Sequence, residues 1–223
     1  MIPVNEIRFN EKSEMIFPVT IYKRQGKFSA DVYNNSIEVF EQAQRLFSDI
    51  LSKESIKYLS ESVASIYSGY GFDFSYEVGG LYTLMECTCK LRLSSFKPKN
   101  QILDLNQHYD GSLIETIDTK EASEFGQRGK VILKDGKIAC VCVENYVPYE
   151  DFTEIAVETA KKYRKNGFAT ECVYALTSEL IDNGEKVRYM CNASNEASIR
   201  TAAAAGFYEI GQDYYFILEK EVR

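Results

Sequence analysis

The residues best suited to chemistry lie between Glu154 and Leu176, in EIAVETAKKYRKNGFATECVYAL. There a β-pattern runs into the loop Arg164-Lys165-Asn166-Gly167-Phe168-Ala169 and then into a helical pattern. Such a loop can wrap a pyrophosphate. Gly167 lets the backbone approach the anion, the first helical amides are unpaired donors, and the helix dipole favours negative charge. Arg164 and Lys165 add positive charge beside it. Taken alone, the loop is equally a helix that starts after a basic turn.

A second cluster follows about thirty residues later in CNASNEASIRTAAAAGFYEI, where a strand leads to Asn195 and Ser198, an Ala-rich helix, and Gly206-Phe207. Read by itself, Asn195 is a helix cap. Asp151, Glu154 and Glu144 are carboxylates able to act as a base, each of which also reads as an exposed charge at a strand end. The one histidine, His108, lies in the polar stretch NQHYDG, and no spacing supports a dyad with a cysteine. The six cysteines include the C-x-C pairs Cys87/Cys89 and Cys140/Cys142. Structural zinc sites use wider knuckles on turns, so buried reduced thiols in strands are the expectation, with no metal.

The elements that must position these groups follow from periodicity. Residues 17–33 form a hairpin, and Ile37–Leu51 and Ile56–Ile66 carry helical apolar faces. A Gly/Tyr/Ser-rich loop covers 67–80 and a strand covers 81–93. The break SSFKPKNQ separates an N-terminal α/β module, residues 1–105, from a second domain, 106–223. In the second domain Asp118 caps a short helix ending near Phe125. Two strands meet at Asp135-Gly136, a hairpin turn, and the run Ile138–Val143 reads as a strand covered on both faces. A strand from Phe152 to Glu158, a helix from Tyr163 to Asn183, a strand over Val187–Cys191 and a helix over 195–205 follow. Two strands joined around Gly211-Gln212-Asp213 close the chain.

Both clusters, in this order, resemble the signatures of the GNAT superfamily of N-acetyltransferases. Arg164-x-x-Gly167-x-Ala169 matches the [QR]-x-x-G-x-[GA] loop after a strand, and Asn195, Ser198, Gly206 and Phe207 match the second signature. The resemblance spans roughly residues 110–220. It implies a mixed, mostly antiparallel sheet flanked by helices, α/β in class, and acetyl-CoA as co-substrate. It further implies that backbone groups of Ile155 and Val157 hold the pantetheine arm and that amides from Lys165 through Asn166, Gly167, Phe168 and Ala169 to Thr170 cradle the pyrophosphate. Arg164 lies alongside, and Asn195 and Ser198 approach from the later helix. By the same resemblance the Val157 amide polarises the thioester and Asp151 is the first choice of base.

Two departures stand out. The connection Glu158–Tyr163 is long and lacks the usual Pro, which predicts a widened turn with cofactor binding retained. The position where many members carry an acidic Tyr is Ala202, which keeps a non-catalytic acyl-CoA-binding or sensor module as the competing reading.

Composition fits this. Hydrophobic residues at 45% and charged residues at 26% suit a globular chain with a real core. A net charge of −7 without a basic stripe argues against nucleic acid and leans towards cationic acceptors. No apolar run nears bilayer length, and MIPVNEIRFNEK lacks a signal-peptide layout, so a cytoplasmic protein without a membrane partner is expected. The expected acceptor is a small amine, less a protein amino group, at a site shaped by Tyr214, Tyr215 and the N-terminal module. A homodimer is compatible with the sequence, which does not fix the oligomeric state.

Overall fold

A computed structural model describes residues 2–4, 15–68, 74–77, 80–88, 96–108, 113–114, 117–145 and 151–220. The chain divides into two compact units: residues 1–82 with 211–223, and residues 83–210. This division differs from the boundary at residue 105 drawn from the SSFKPKNQ break. The second unit starts in the middle of a strand, and the last strand of the chain completes the first unit.

The first unit contains β1 (Ile2–Val4), β2 (Met15–Arg24), β3 (Lys27–Tyr33), α1 (Ile37–Leu46), α2 (Lys53–Ser68) and β4 (Phe74–Glu77). Its strands run in the order β1-β3-β2 and then the final strand, with β4 also on that strand. The β2–β3 hairpin turns at Gln25-Gly26, both left-handed (φ 50° and 75°). Val19, Ile21, Ala30 and Val32 alternate inward to meet Phe40, Leu59 and Val63 of the helices, all 3% exposed or less. Alternation in the strands and helical spacing in α1 and α2 thus select one shared core. Strand β5 (Leu81–Cys87) crosses the division between the units, and the rest of the strand expected over 81–93 lies outside the described residues.

In the second unit come β6 (Leu103–Asp104), α3 (Leu105–His108), β7 (Leu113–Ile114), β8 (Ile117–Asp118), α4 (Thr119–Glu124), β9 (Gly129–Lys134), β10 (Lys137–Asn145), β11 (Thr153–Thr159), α5 (Phe168–Asp182), β12 (Val187–Asn192) and α6 (Glu196–Ala204). Its sheet runs β12-β11-β10-β9-β6; β10 pairs antiparallel with β9 and β11, and β11 pairs parallel with β12. The architecture is the mixed, mostly antiparallel sheet with flanking helices that the sequence implies. Asp118 caps α4 as expected, its carboxylate accepting from the amides of Lys120 (2.9 Å) and Glu121 (3.0 Å).

The apolar run of β10 serves two cores, as a doubly covered strand must. Cys140 and Cys142 pack with Cys172, Leu176 and Leu180 of α5, while Ile138, Val141 and Val143 pack with Leu105 and Ala122. Leu176 and Leu180 are fully buried, each worth about 2 kcal/mol in transfer from water. Cys87, Cys140, Cys142, Cys172 and Cys191 are free and buried, and Cys89 lies outside the described residues. Burial drives the Cys142 thiol well above its ordinary range, where it is unreactive. Glu171, in the first turn of α5, is 4% exposed; its carboxylate accepts from the backbone amide of Asn100 (3.0 Å) and from its side-chain amide (3.1 Å). That is how a buried charge at this depth stays compensated.

Three expectations about elements need correction. The loop expected over 67–80 holds the strand β4 (Phe74–Glu77), and α2 runs through Tyr67 to Ser68. Helix α5 begins at Phe168, and Tyr163 lies instead in a 3-10 turn over Lys161–Tyr163. The expected pair of strands around Gly211 is one strand, β13 (Tyr208–Lys220), paired antiparallel with β2. Gly211 is a close approach, not a turn: a Cβ there would stand 2.2 Å from the Lys23 carbonyl oxygen. A sequence cannot separate those two uses of glycine without the partner strand. Arg24 braces the crossing, donating to the Gln212 carbonyl (3.1 Å) and to the Asp213 carboxylate (3.0 Å through Nη2). Among the described residues no helix is long and apolar enough to cross a membrane.

Candidate active site

In the second unit, the registered pairs between β11 and β12 are Thr153↔Val187 and Glu154↔Arg188. Beyond them a cavity of about 710 Å³ opens, walled by Val157 of β11, Tyr189 of β12, the loop from Tyr163 to Gly167, the first turn of α5, and Asn195, Ser198 and Thr201 at the start of α6. Strand β12 is thus joined to β11 at one end only, and the other end of β11 contributes Val157, Glu158 and Thr159 to the cavity wall.

The loop holds itself in shape. Lys165 (φ 66°) and Gly167 (φ 80°) are both left-handed, and the Asn166 side-chain amide donates to the carbonyls of Tyr163 (3.0 Å) and Arg164 (3.3 Å). The Asn166 side chain therefore shapes the loop and leaves ligand contact to its backbone. Gly167 is the N-cap of α5 and supplies no side-chain acceptor, so the amides of Phe168, Ala169 and Thr170 keep their donor capacity. A Cβ at Gly167 would meet nothing within 4 Å. Arg164 donates through Nε to the Thr159 carbonyl (3.2 Å), which anchors it at the end of β11. The long connection without a Pro is absorbed by continued pairing, the Ala160 amide donating to the Ala139 carbonyl at 3.0 Å. Asn195 caps α6 through the Ser198 amide (3.1 Å) and also lines the cavity.

Of the eleven residues named from sequence for cofactor contact, ten line this cavity; Ile155 does not, its side chain being 3% exposed in the core beneath α5. Tyr189, Thr201, Arg200 and Tyr163 line it without having been singled out. The alternation Val187, Tyr189, Cys191 and the one-turn spacing of Ala197 and Thr201 were the available signals.

The three carboxylates are separated. Asp151 is fully exposed and ion-paired with Lys186, whose hydrogen bond holds its carboxyl below the usual range. Neither Asp151 nor Glu154 stands in the wall of this cavity. Glu144 is bound by Arg128, which donates to it through Nε (2.8 Å) and its backbone amide (2.9 Å) and also bridges to Glu185. Glu154 is partly buried; burial raises its pKa against the opposing hydrogen bond from Asn145 Nδ2 (2.9 Å). Asn145 and Glu144 line a smaller cavity of about 330 Å³ with Asp118, Glu121 and Phe125. Tyr214 is buried in the core of the first unit, which rules it out as an exposed acceptor contact.

The larger cavity thus combines a glycine-turned loop at a helix start with two strands joined at one end only. The chain belongs to the GNAT acetyltransferase family, whose profile matches residues 92–216. Similar solved structures include a GNAT-family protein from Novosphingobium aromaticivorans (17% identity, TM-score 0.53, 67% of this chain and 68% of that one). A Drosophila protein shows 12% identity and a TM-score of 0.54 over 71% of this chain and 56% of its own. A GCN5-related N-acetyltransferase-like protein from Streptococcus suis shows 20% identity and a TM-score of 0.48, over 74% and 68%. At these identities the likeness is one of fold. No curated protein matches the chain.

Proposed function

We propose that the protein is an acetyl-CoA-dependent N-acetyltransferase that transfers the acetyl group directly to a small amine. The observation that carries this reading is the cavity at the open end of the β11–β12 pair, with the Gly167 loop in its wall. Its parts suit the co-substrate: amide donors and open space at Gly167 for the pyrophosphate, Lys165 for charge, and a strand edge at Val157 for the pantetheine arm.

In the reaction a neutral amine attacks the thioester carbonyl, so an ammonium near pKa ~10 must first lose a proton. We assign that task to Glu154. It stands on β11 three residues before Val157, and partial burial raises its pKa, which brings a base nearer its working pH. The amide of Val157 is assigned to polarise the carbonyl oxygen. Calorimetric titration with acetyl-CoA, followed by CoA release with primary mono- and diamines, tests the proposal. Binding with release establishes it; binding without release from any amine favours the sensor reading, for which the fully buried Ala202 is the supporting observation.

Glu154→Gln is expected to lower the transfer rate by roughly 10²- to 10⁴-fold, as loss of a general base does. It should also stabilise the fold at neutral pH. The sign follows from the raised pKa: the folded state favours the protonated carboxyl, so wild-type stability falls as pH rises from the ordinary carboxylate value through the raised one. Gln cannot ionise and escapes that loss. Thermal unfolding of both proteins across acidic to neutral pH checks it; a variant less stable at neutral pH contradicts the assignment.

A further inference from the structure

Breaking the thioester leaves a thiolate, and a buried thiolate is stabilised chiefly by a hydrogen-bond donor aimed at it. Most hydroxyls lining the cavity are committed elsewhere. Tyr163 donates to Asp135 Oδ2 (2.9 Å), Thr201 to the Ala197 carbonyl (2.9 Å), and Thr159 to Cys140 Sγ (3.2 Å). Thr170 stands at the loop, where the anionic head belongs.

Tyr189 and Ser198 differ. Their hydroxyl oxygens lie 2.6 Å apart, and both residues line the cavity. One of the two hydroxyl protons serves this contact, so the other remains for a ligand. With Ser198 donating to Tyr189, the sense in which this bond opposes the rise of the phenol's pKa, the remaining proton is the phenolic one. The Tyr189 ring is fixed by burial, 4% exposed, and by an edge-on contact with Phe207 at 5.8 Å between centroids.

We propose that the Tyr189 hydroxyl, oriented by Ser198, donates a hydrogen bond to the sulfur of coenzyme A as the C–S bond breaks. The inference rests on the acetyl-CoA reading above. The carbonyl carbon gains the amine nitrogen and loses the sulfur, the C–S electron pair stays on sulfur, and the second nitrogen proton goes to Glu154 after it has passed the first, taken from the ammonium, to solvent. Tyr189 keeps its own proton throughout; the thiolate takes one from solvent after release. Burial pushes the phenol up to about 12, and a thiol ionises near ~8.5. Complete transfer from phenol to thiolate is therefore uphill by roughly three orders of magnitude, which makes Tyr189 a hydrogen-bond donor and not an acid.

The test needs no acceptor amine. Coenzyme A bound to the protein is titrated by the ultraviolet absorbance of its thiolate, and acetyl-CoA affinity is measured separately by calorimetry. In wild type the bound thiol should ionise below its value in free coenzyme A. Tyr189→Phe should raise its apparent pKa by about one unit, a tenfold change in the ionisation constant, with acetyl-CoA affinity held within about twofold of wild type, since the substitution removes one oxygen and leaves the ring packing. Ser198→Ala keeps the phenol but removes its orienting partner, and should produce part of the same shift. Identical thiol titrations in wild type and Tyr189→Phe, with acetyl-CoA bound by both, overturn this inference alone. Absence of acetyl-CoA binding to wild type overturns the co-substrate reading beneath it.

Discussion

Gly167→Glu is expected to abolish acetyl-CoA binding, with a loss of at least about 100-fold. Two separate effects act. The left-handed φ of 80° strains any residue with a Cβ, at about 1 kcal/mol. That penalty falls on the folded state and leaves the binding surface in place. The larger effect is electrostatic and steric: the space in front of Gly167 is open, so a carboxylate enters the volume meant for an anion and opposes the dipole that favours it. Gly167→Ala separates the two, since it carries the strain without the charge. Calorimetry on both variants decides: retained affinity in Gly167→Glu would place the ligand elsewhere, and equal losses in both would mean that backbone strain alone is responsible.

The second large effect is on the fold. Gly211→Val should destabilise the protein by roughly 3 kcal/mol or more, the range of severe overpacking against backbone. A Cβ at position 211 would lie 2.2 Å from the Lys23 carbonyl and 2.7 Å from Arg24 Cδ. The Arg24 side chain can swing aside, but the carbonyl belongs to the β2 ladder and cannot without breaking the register Gln212↔Lys23. The Arg24–Asp213 ion pair would go with it, leaving a carboxylate that is 3% exposed without its partner. Denaturant unfolding reads the change, and a midpoint within experimental scatter of wild type would show that β13 can slide.

Most of the site was legible because its local chemistry is encoded locally. Gly167 has one stereochemical use between a strand and a helix, and an Asn before an Ala-rich run caps it. The left-handed Gly167 and the Asn195 cap depend on neighbours in sequence. What escaped depends on neighbours in space. Tyr189 looks like any strand tyrosine until Ser198 is brought 2.6 Å from its hydroxyl. Asp151 and Glu154 are three residues apart, yet one stands in solvent beside Lys186 and the other is partly buried with Asn145 as its donor. Their difference as bases is set by burial and by partners from β10 and the segment before β12. The compact units divide elsewhere than the SSFKPKNQ break for a related reason: the break marks a change in composition, whereas the units follow which strands share a core.

The placement of β13 has a consequence for how the protein is made. The first unit buries Tyr214 and Phe216 beside Val19 and Ile21, so its core draws on both ends of the chain, across about two hundred residues. During synthesis the β2–β3 hairpin can form early, but the edge of β2 that receives β13 stays uncovered until residues 208–220 have been made. A nascent chain halted after residue 205 should therefore be cut readily by protease within residues 15–33, and become resistant there once residues 206–223 have emerged.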